Sequence, residues 1–231
     1  MIGSGFLHLR GETAGAGPIT IAPAAQGTGA GRALMEEICR RADAAGVRSL
    51  RLIQDAFNER SFALYGRLGF AAREVLARAS FRSRPVSPPP GRWRRARAGD
   101  LDALVAFEAR LLGLRRPRDL ELLLRIGDVF VAEEGGGVVA SLARLVRGGI
   151  AVLGPGAAQS LELMRGLLAV ATRDLPPGTD TRLLVPAGRV DLLHALEPER
   201  LEVHSLCTYM VRGEFEPFPG YYVPTLFPES G

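Results

Sequence analysis

Four prolines within six residues, Pro85, Pro88, Pro89 and Pro90, followed by Gly91, interrupt this chain more decisively than any other feature in it. Proline has no backbone N–H and holds φ at about −65°, so the stretch can be neither a helix nor an interior strand and favours an extended spacer. The chain therefore divides into a segment over residues 1–82, a linker over 83–91 and a segment over 92–231. Apolar residues make up 47% of the 231, enough for a sizeable core.

The first segment reads as alternating strands and helices. Residues 5–9 alternate apolar and polar like a strand. Ile19, Thr20 and Ile21 form a short β-branched strand that stops at Pro23. Over residues 30–45, Leu34, Ile38 and Ala42 fall on one helical stripe, and residues 49–53 alternate again. A second helix spans residues 58–68, with Asn58 at the capping position and Gly69 where a C-terminal glycine belongs.

Between the short strand and the first helix lies Gln26, Gly27, Thr28, Gly29, Ala30, Gly31, Arg32. The first-turn N–H groups of a helix have no internal partners and carry its positive dipole end. A glycine-rich entry lets a diphosphate approach them without obstruction by Cβ atoms, and Arg32 adds charge at the rim. The spacing excludes two commoner phosphate loops. The glycines at 27, 29 and 31 do not follow G-x-G-x-x-G, and a Walker loop needs a lysine where this chain has none.

Asn58 and Tyr65 are seven residues apart and return to the same helix face, and Leu68, Gly69 and Phe70 close the helix. With this second motif in place, residues 5–81 resemble the GNAT acetyltransferases. Gln26, Gly29 and Gly31 match their Q-x-x-G-x-G pyrophosphate loop, and Asn58 through Tyr65 to Phe70 matches their second signature. The resemblance implies roles. Backbone N–H groups of residues 27–32 would bind the diphosphate of acetyl-coenzyme A. The pantetheine arm would lie beside Ile19, Thr20 and Ile21 like an added strand. Asn58 would hydrogen-bond the pantetheine, and Tyr65 would protonate the leaving thiolate. The general base is not legible: the short strand has no carboxylate, His8 is a weak candidate, and Glu12, Glu36 and Asp55 fit no pattern. The family also implies a strand, two helices and a strand ahead of Gly5, so the first unit is expected to be truncated, with an uncovered edge open to a second copy.

The second segment repeats the family's order. Strands are expected at 93–96, 129–132, 138–146, 150–153, 182–185 and 201–211. Helices are expected from Asp100 as cap through Leu112, from Pro117 to Ile126, from Ser160 as cap to about Thr172, and over 190–196. Tyr209, Met210, Arg212 and Gly213 resemble the final strand of tandem GNAT proteins. The chemistry is worn down: residues 154–160 stand where a phosphate loop belongs but lack its pattern, Pro155 removes a donor, and the helix at 190–196 has no tyrosine.

The expected fold is α/β, two GNAT-like units with a mixed, mostly antiparallel sheet and flanking helices, the second unit non-catalytic. The expected activity is N-acetyl transfer from acetyl-coenzyme A, with no metal, to an amine of a small molecule or peptide. The alternative is a non-catalytic acyl-coenzyme A binding module or regulatory protein. All 29 basic residues are arginine, and the net charge of +4 is too small to point to nucleic acid. The run Arg92, Arg94, Arg95, Arg97 around Trp93 reads as a solvated strand face. The aromatic tail over 215–227 reads as packing across a sheet or a partner. Cys39 and Cys207 have no metal-ligand spacing and read as reduced thiols. No segment reads as a membrane span or signal peptide, so a cytoplasmic protein is expected.

Overall fold

The computed structural model describes residues 1–84, 87–91, 93–196 and 200–225. Pro85 and Val86 of the linker, Arg92 of the arginine run, and Leu226 and Phe227 of the tail lie outside these. The strands β1 (Gly3–Leu9), β2 (Thr13–Ile21), β3 (Ser49–Asp55), β4 (Ala71–Arg82), β5 (Trp93–Arg95), β6 (Asp128–Glu134), β7 (Gly137–Arg147), β8 (Ile150–Ala158), β9 (Asp180–Pro186), β10 (Glu202–Gly213) and β11 (Tyr221–Val223) form one sheet. Its order is β1-β2-β3-β10-β4-β9-β8-β7-β6-β5, with β11 paired to β8. The helices are α1 (Ala30–Ala44), α2 (Glu59–Arg67), α3 (Leu101–Leu112), α4 (Pro117–Ile126), α5 (Leu161–Thr172) and α6 (Val190–Leu196).

The linker separates two stretches of sequence but not two sheets. β10, from the end of the chain, runs antiparallel between β3 and β4, and β4 in turn pairs with β9. Outward from the central β10–β4 pair the two sides match: β3 and β9, then β2 and β8, then β1 and β7. The sequence repeats with them. Ala14, Gly17 and Pro18 of β2 stand at the same positions of a nine-residue strand as Ala151, Gly154 and Pro155 of β8. Each strand meets its antiparallel neighbour through the same irregularity, a register shift between Gly5 and Leu7 on one side and between Leu142 and Arg144 on the other. The shift leaves the Gly-Pro pair outside the ladder, so the missing N–H of each proline costs no strand hydrogen bond. This corrects two expectations. The strand expected at 19–21 starts at Thr13, and the strand expected at 150–153 runs on to Ala158, through the residues expected to form a loop.

α1 buries Met35, Ile38, Cys39 and Ala42 against Ala14, Ala16, Leu50 and Leu52, and Tyr65 of α2 joins the same cluster. α5 and α6 cover the matching surface of β6–β9 through Met164, Leu167, Leu192 and Leu196. α3 and α4 pack on the opposite face, where Val129, Val131 and Ala143 alternate with the residues under α5. Asp100 does not cap α3 through its side chain. Its carboxylate accepts from the Arg97 N–H and pairs with Arg94, which also pairs with Glu133, while Arg95 pairs with Asp128. Arg94 and Arg95 of the run are thus matched by carboxylates. No helix among the described residues is long and apolar enough to cross a membrane.

Candidate active site

β2 and β3 are parallel neighbours only where Thr13, Ala14 and Gly15 face Ser49, Leu50 and Arg51. Beyond Gly15 the two strands diverge. Among the described residues nothing pairs with the rest of β2 on that side. Burial changes at the same point: Ala14, Gly15 and Ala16 are buried, Pro18 and Thr20 are exposed, and Ile19 and Ile21 are half-buried. The strand therefore presents backbone donors and acceptors to a wedge-shaped opening, the arrangement to which an extended ligand can add.

The wedge leads to the glycine-rich turn. Pro23–Ala25 form one 3-10 turn. The Gln26 side chain donates to the Ile21 carbonyl at 3.4 Å and the Thr28 hydroxyl to the Ala25 carbonyl at 2.8 Å, so both brace the loop. Gly27 and Gly29 have φ of 85° and 91°, left-handed values that a side chain would oppose. Gly29 is the N-cap of α1; no side chain caps the helix, and its first turn contains no acidic residue. From Gly27 to Arg32 no backbone N–H donates to another backbone group. Arg32 is less available than its position suggests, because its Nε donates to Glu36 at 2.7 Å. Arg60 was not anticipated: its Nη2 lies 3.1 Å from where a Cβ on Gly27 would stand, which puts a guanidinium from α2 over the turn.

α2 starts at Asn58, whose Oδ1 accepts from the Ser61 N–H at 3.1 Å, as the sequence predicts for a cap. That bond occupies the carboxamide oxygen, while its NH2 group donates to no partner among the described residues. With its carboxamide turned so that both ends find partners, the buried Gln54 amide would donate to the carbonyls of Asn58 and Asp55 at 3.1 Å each and tie the helix start to the end of β3. Tyr65 is 9% exposed, packed against Phe70 with ring centroids 6.0 Å apart. Burial pushes its phenol pKa up, partly opposed by a hydrogen bond with the Ser61 side chain one turn back. With its pKa raised by burial, the hydroxyl stays protonated at neutral pH, as a proton donor requires.

His8 is held by a hydrogen bond between Nε2 and the Gly17 carbonyl at 2.8 Å, which places it as a brace across the β1–β2 irregularity. Asp55, at the end of β3, accepts from Arg78 at 3.0 Å and lies 3.9 Å from the Cys207 sulfur. Cys207 comes from β10, 152 positions away, so no local pattern could have grouped these three.

Residues 1–70 match the profile described as the Acetyltransferase (GNAT) family. The match covers these 70 residues, under a third of the chain. No curated protein matches the chain. Among solved structures, the chain is similar to a Pyrococcus horikoshii protein assigned as an acetyltransferase, with 19% identity and a TM-score of 0.79 over 99% of this chain and 76% of the other. A tandem GNAT protein from the clavulanic acid biosynthesis pathway matches at 13% identity and a TM-score of 0.62, over 94% and 80% of the two chains. A GCN5-related N-acetyltransferase from Kribbella flavida matches at 18% and 0.58, over 91% of this chain but only 56% of its own length. At these identities the likeness is one of fold, and it extends the GNAT architecture over the second half.

In that half the GNAT features have other occupants. β8 and β9 are parallel neighbours over Ile150–Val152 and then diverge, as β2 and β3 do. α5 starts two residues after β8, with the Ser160 hydroxyl capping the Leu163 N–H at 3.3 Å and Glu162 in its first turn. Counted from the strand ends, Arg189 stands where Asn58 does and Leu196 where Tyr65 does.

Proposed function

We propose that the GNAT segment binds acetyl-coenzyme A and transfers its acetyl group to an amine of a small molecule or peptide. One observation carries this: an unpaired strand edge leads without interruption to a helix start whose N–H groups lack partners. Extended amides of pantetheine suit the first part and a diphosphate suits the second. The N–H groups from Gly27 to Arg32 would hold the diphosphate, with Arg60 above it. Ile19, Thr20 and Ile21 would hydrogen-bond the pantetheine, and the Asn58 NH2 would fix its far side. The neutral amine attacks the thioester carbonyl carbon to give a tetrahedral intermediate. When the C–S bond breaks, the Tyr65 hydroxyl protonates the departing sulfur, the amine gives its extra proton to water, and the phenolate left at Tyr65 is reprotonated from solvent.

Titration calorimetry tests the binding step. Coenzyme A should bind with a Kd in the micromolar range, about −8 kcal/mol. Gly29→Asp places an anion where the diphosphate should sit; a Cβ there meets no atom within 4 Å, but the φ of 91° strains any side chain, so Gly29→Ala, with the same strain and no charge, is the control. Affinity should fall by about 100-fold or more, equivalent to about 2.7 kcal/mol. An unchanged Kd in folded Gly29→Asp would refute the assignment. Release of free thiol from acetyl-coenzyme A in the presence of a panel of amines then tests the transfer.

A further inference from the structure

Where the second wedge opens, the chain's own tail enters it. Tyr221, Tyr222 and Val223 pair antiparallel with Ala158, Ala157 and Gly156 of β8, on the side facing β9. The Leu184 N–H of β9 donates to the Thr225 hydroxyl at 2.9 Å, so the tail touches both walls. The strand repeat places Gly156, Ala157 and Ala158 at the positions of Ile19, Thr20 and Ile21. Burial follows occupancy: β8 is buried from Leu153 to Ala158, whereas the matching stretch of β2 is exposed or half-buried from Gly17 onward.

The fit is close. A Cβ on Gly156 would lie 3.1 Å from a Val223 methyl, and one on Gly154 would lie 2.7 Å from the Thr225 hydroxyl oxygen and the Val223 carbonyl. The strand is also anchored from behind. Tyr222 is 4% exposed, stacks edge-on with Phe218 at 4.8 Å, and its hydroxyl lies 3.4 Å from Nη1 of the buried Arg116. Phe218 continues through Phe215 to Tyr209 of β10.

We infer that β11 is a built-in occupant of the second half's acyl-coenzyme A slot, so that each chain offers one slot to coenzyme A and closes the other with its own residues 221–223. This rests on the coenzyme A reading of the first slot only for what the first slot takes. The closure itself stands on the pairing of β11. The rest of the second slot has changed in step. Ser160 caps α5, Glu162 sets a negative charge at its first turn, and the connection from β8 to α5 has shrunk to Gln159 and Ser160. A diphosphate would meet a helix start with its Leu163 N–H already capped, and a carboxylate beside it.

Hydrogen exchange of the full chain, read by peptide mass with and without coenzyme A, separates the two slots. Peptides over 156–158 and 221–223 should exchange slowly and at matching rates without ligand, as a paired ladder does. Coenzyme A should slow exchange over 19–32 by about tenfold or more while leaving 156–158 and 221–223 unchanged. Thr225→Val, which removes the acceptor for Leu184, should speed exchange at 184 and 221–223 together. Exchange of 221–223 at unfolded-chain rates, or coenzyme A protecting 156–158 or releasing 221–223, would overturn the inference. Slow exchange at 221–223 with no ligand effect at 19–32 would support the closed second slot and refute coenzyme A binding in the first.

Discussion

α1 and α5 hold matching places in the two halves and begin in opposite ways. α1 starts from a left-handed glycine, with no capping side chain and no acid in its first turn, after a loop that occupies residues 22–29. α5 starts two residues after its strand, capped by Ser160 and followed by Glu162. A serine cap stabilises a helix by about 1 kcal/mol, and α1 forgoes it. The wedges differ in the same sense, one strand edge left unpaired and the other paired by β11. The second half has satisfied its polar groups from within the chain. The first half leaves the same groups without partners in the chain, and the proposed coenzyme A site rests on that difference.

The largest effect should come from the second half's internal supports. Glu108 and Arg116 form a two-pronged ion pair at 2.7 and 2.9 Å, with side chains 2% and 1% exposed, beneath Tyr222. Removing one partner of a buried pair costs about 3–5 kcal/mol, because the other charge stays desolvated. Denaturant unfolding of Glu108→Ala should show a loss of that size, while coenzyme A affinity measured on folded protein stays near wild type. The double variant Glu108→Leu with Arg116→Met should recover most of the loss. A loss under about 1 kcal/mol would mean that the pair does not support the seat of β11.

The contrast between halves was only partly legible in the sequence, and the boundary follows distance along the chain. Local signals were readable: the glycine turn, the Asn58 cap, the heptad spacing to Tyr65, and the proline that opens α4. What escaped depends on long-range pairing. The reach of β2 back to Thr13 was hidden because Gly15, Gly17 and Pro18 read as breakers, and only the irregular pairing with β1 explains why the strand tolerates them. The same holds for Gly154 and Pro155 in β8. The linker suggested separate units, yet β10 completes the sheet between β3 and β4, because an edge left open by one segment can be paired by any segment of suitable register. The tail's aromatics signalled burial but not that a strand would form among them.

A smaller effect should separate Tyr65 from its counterpart Leu196. If Tyr65 donates the proton to the departing thiolate, Tyr65→Phe keeps the ring packed on Phe70 and removes only the hydroxyl. General acids contribute about 10²–10⁴-fold, and a thiol is already a fair leaving group, so a loss of about 10²-fold or less in kcat is expected. KM for acetyl-coenzyme A should hardly change, since the contact matters in the transition state. Burial raises the phenol pKa, so the donor stays protonated as pH rises, and the basic limb it sets in kcat should lie above the ordinary tyrosine value of about 10. Wild-type turnover in Tyr65→Phe, with chemistry rate-limiting, would reduce Tyr65 to a packing residue like Leu196.

The smallest effect concerns the two arginines nearest the glycine turn. Arg32 lies within the motif, but its guanidinium is engaged with Glu36 on the helix surface. Arg60 lies outside the motif, yet its guanidinium hangs over Gly27, and among the described residues it has no ion-pair partner. An exposed cation facing a diphosphate is screened by water and salt, so about 1 kcal/mol is a fair expectation. Arg60→Ala should therefore weaken coenzyme A binding by about fivefold, with the gap narrowing as salt is raised. Arg32→Ala should do less, because its guanidinium is turned to Glu36 and its loss removes no cation from above the turn. Pantetheine, which lacks the diphosphate, provides the control: its affinity should be the same for wild type and Arg60→Ala. Equal weakening of pantetheine and coenzyme A by Arg60→Ala would show that Arg60 acts on the shape of the loop instead of on the charge of the ligand. The geometric comparison with Arg32 would then have to be drawn again from the backbone alone.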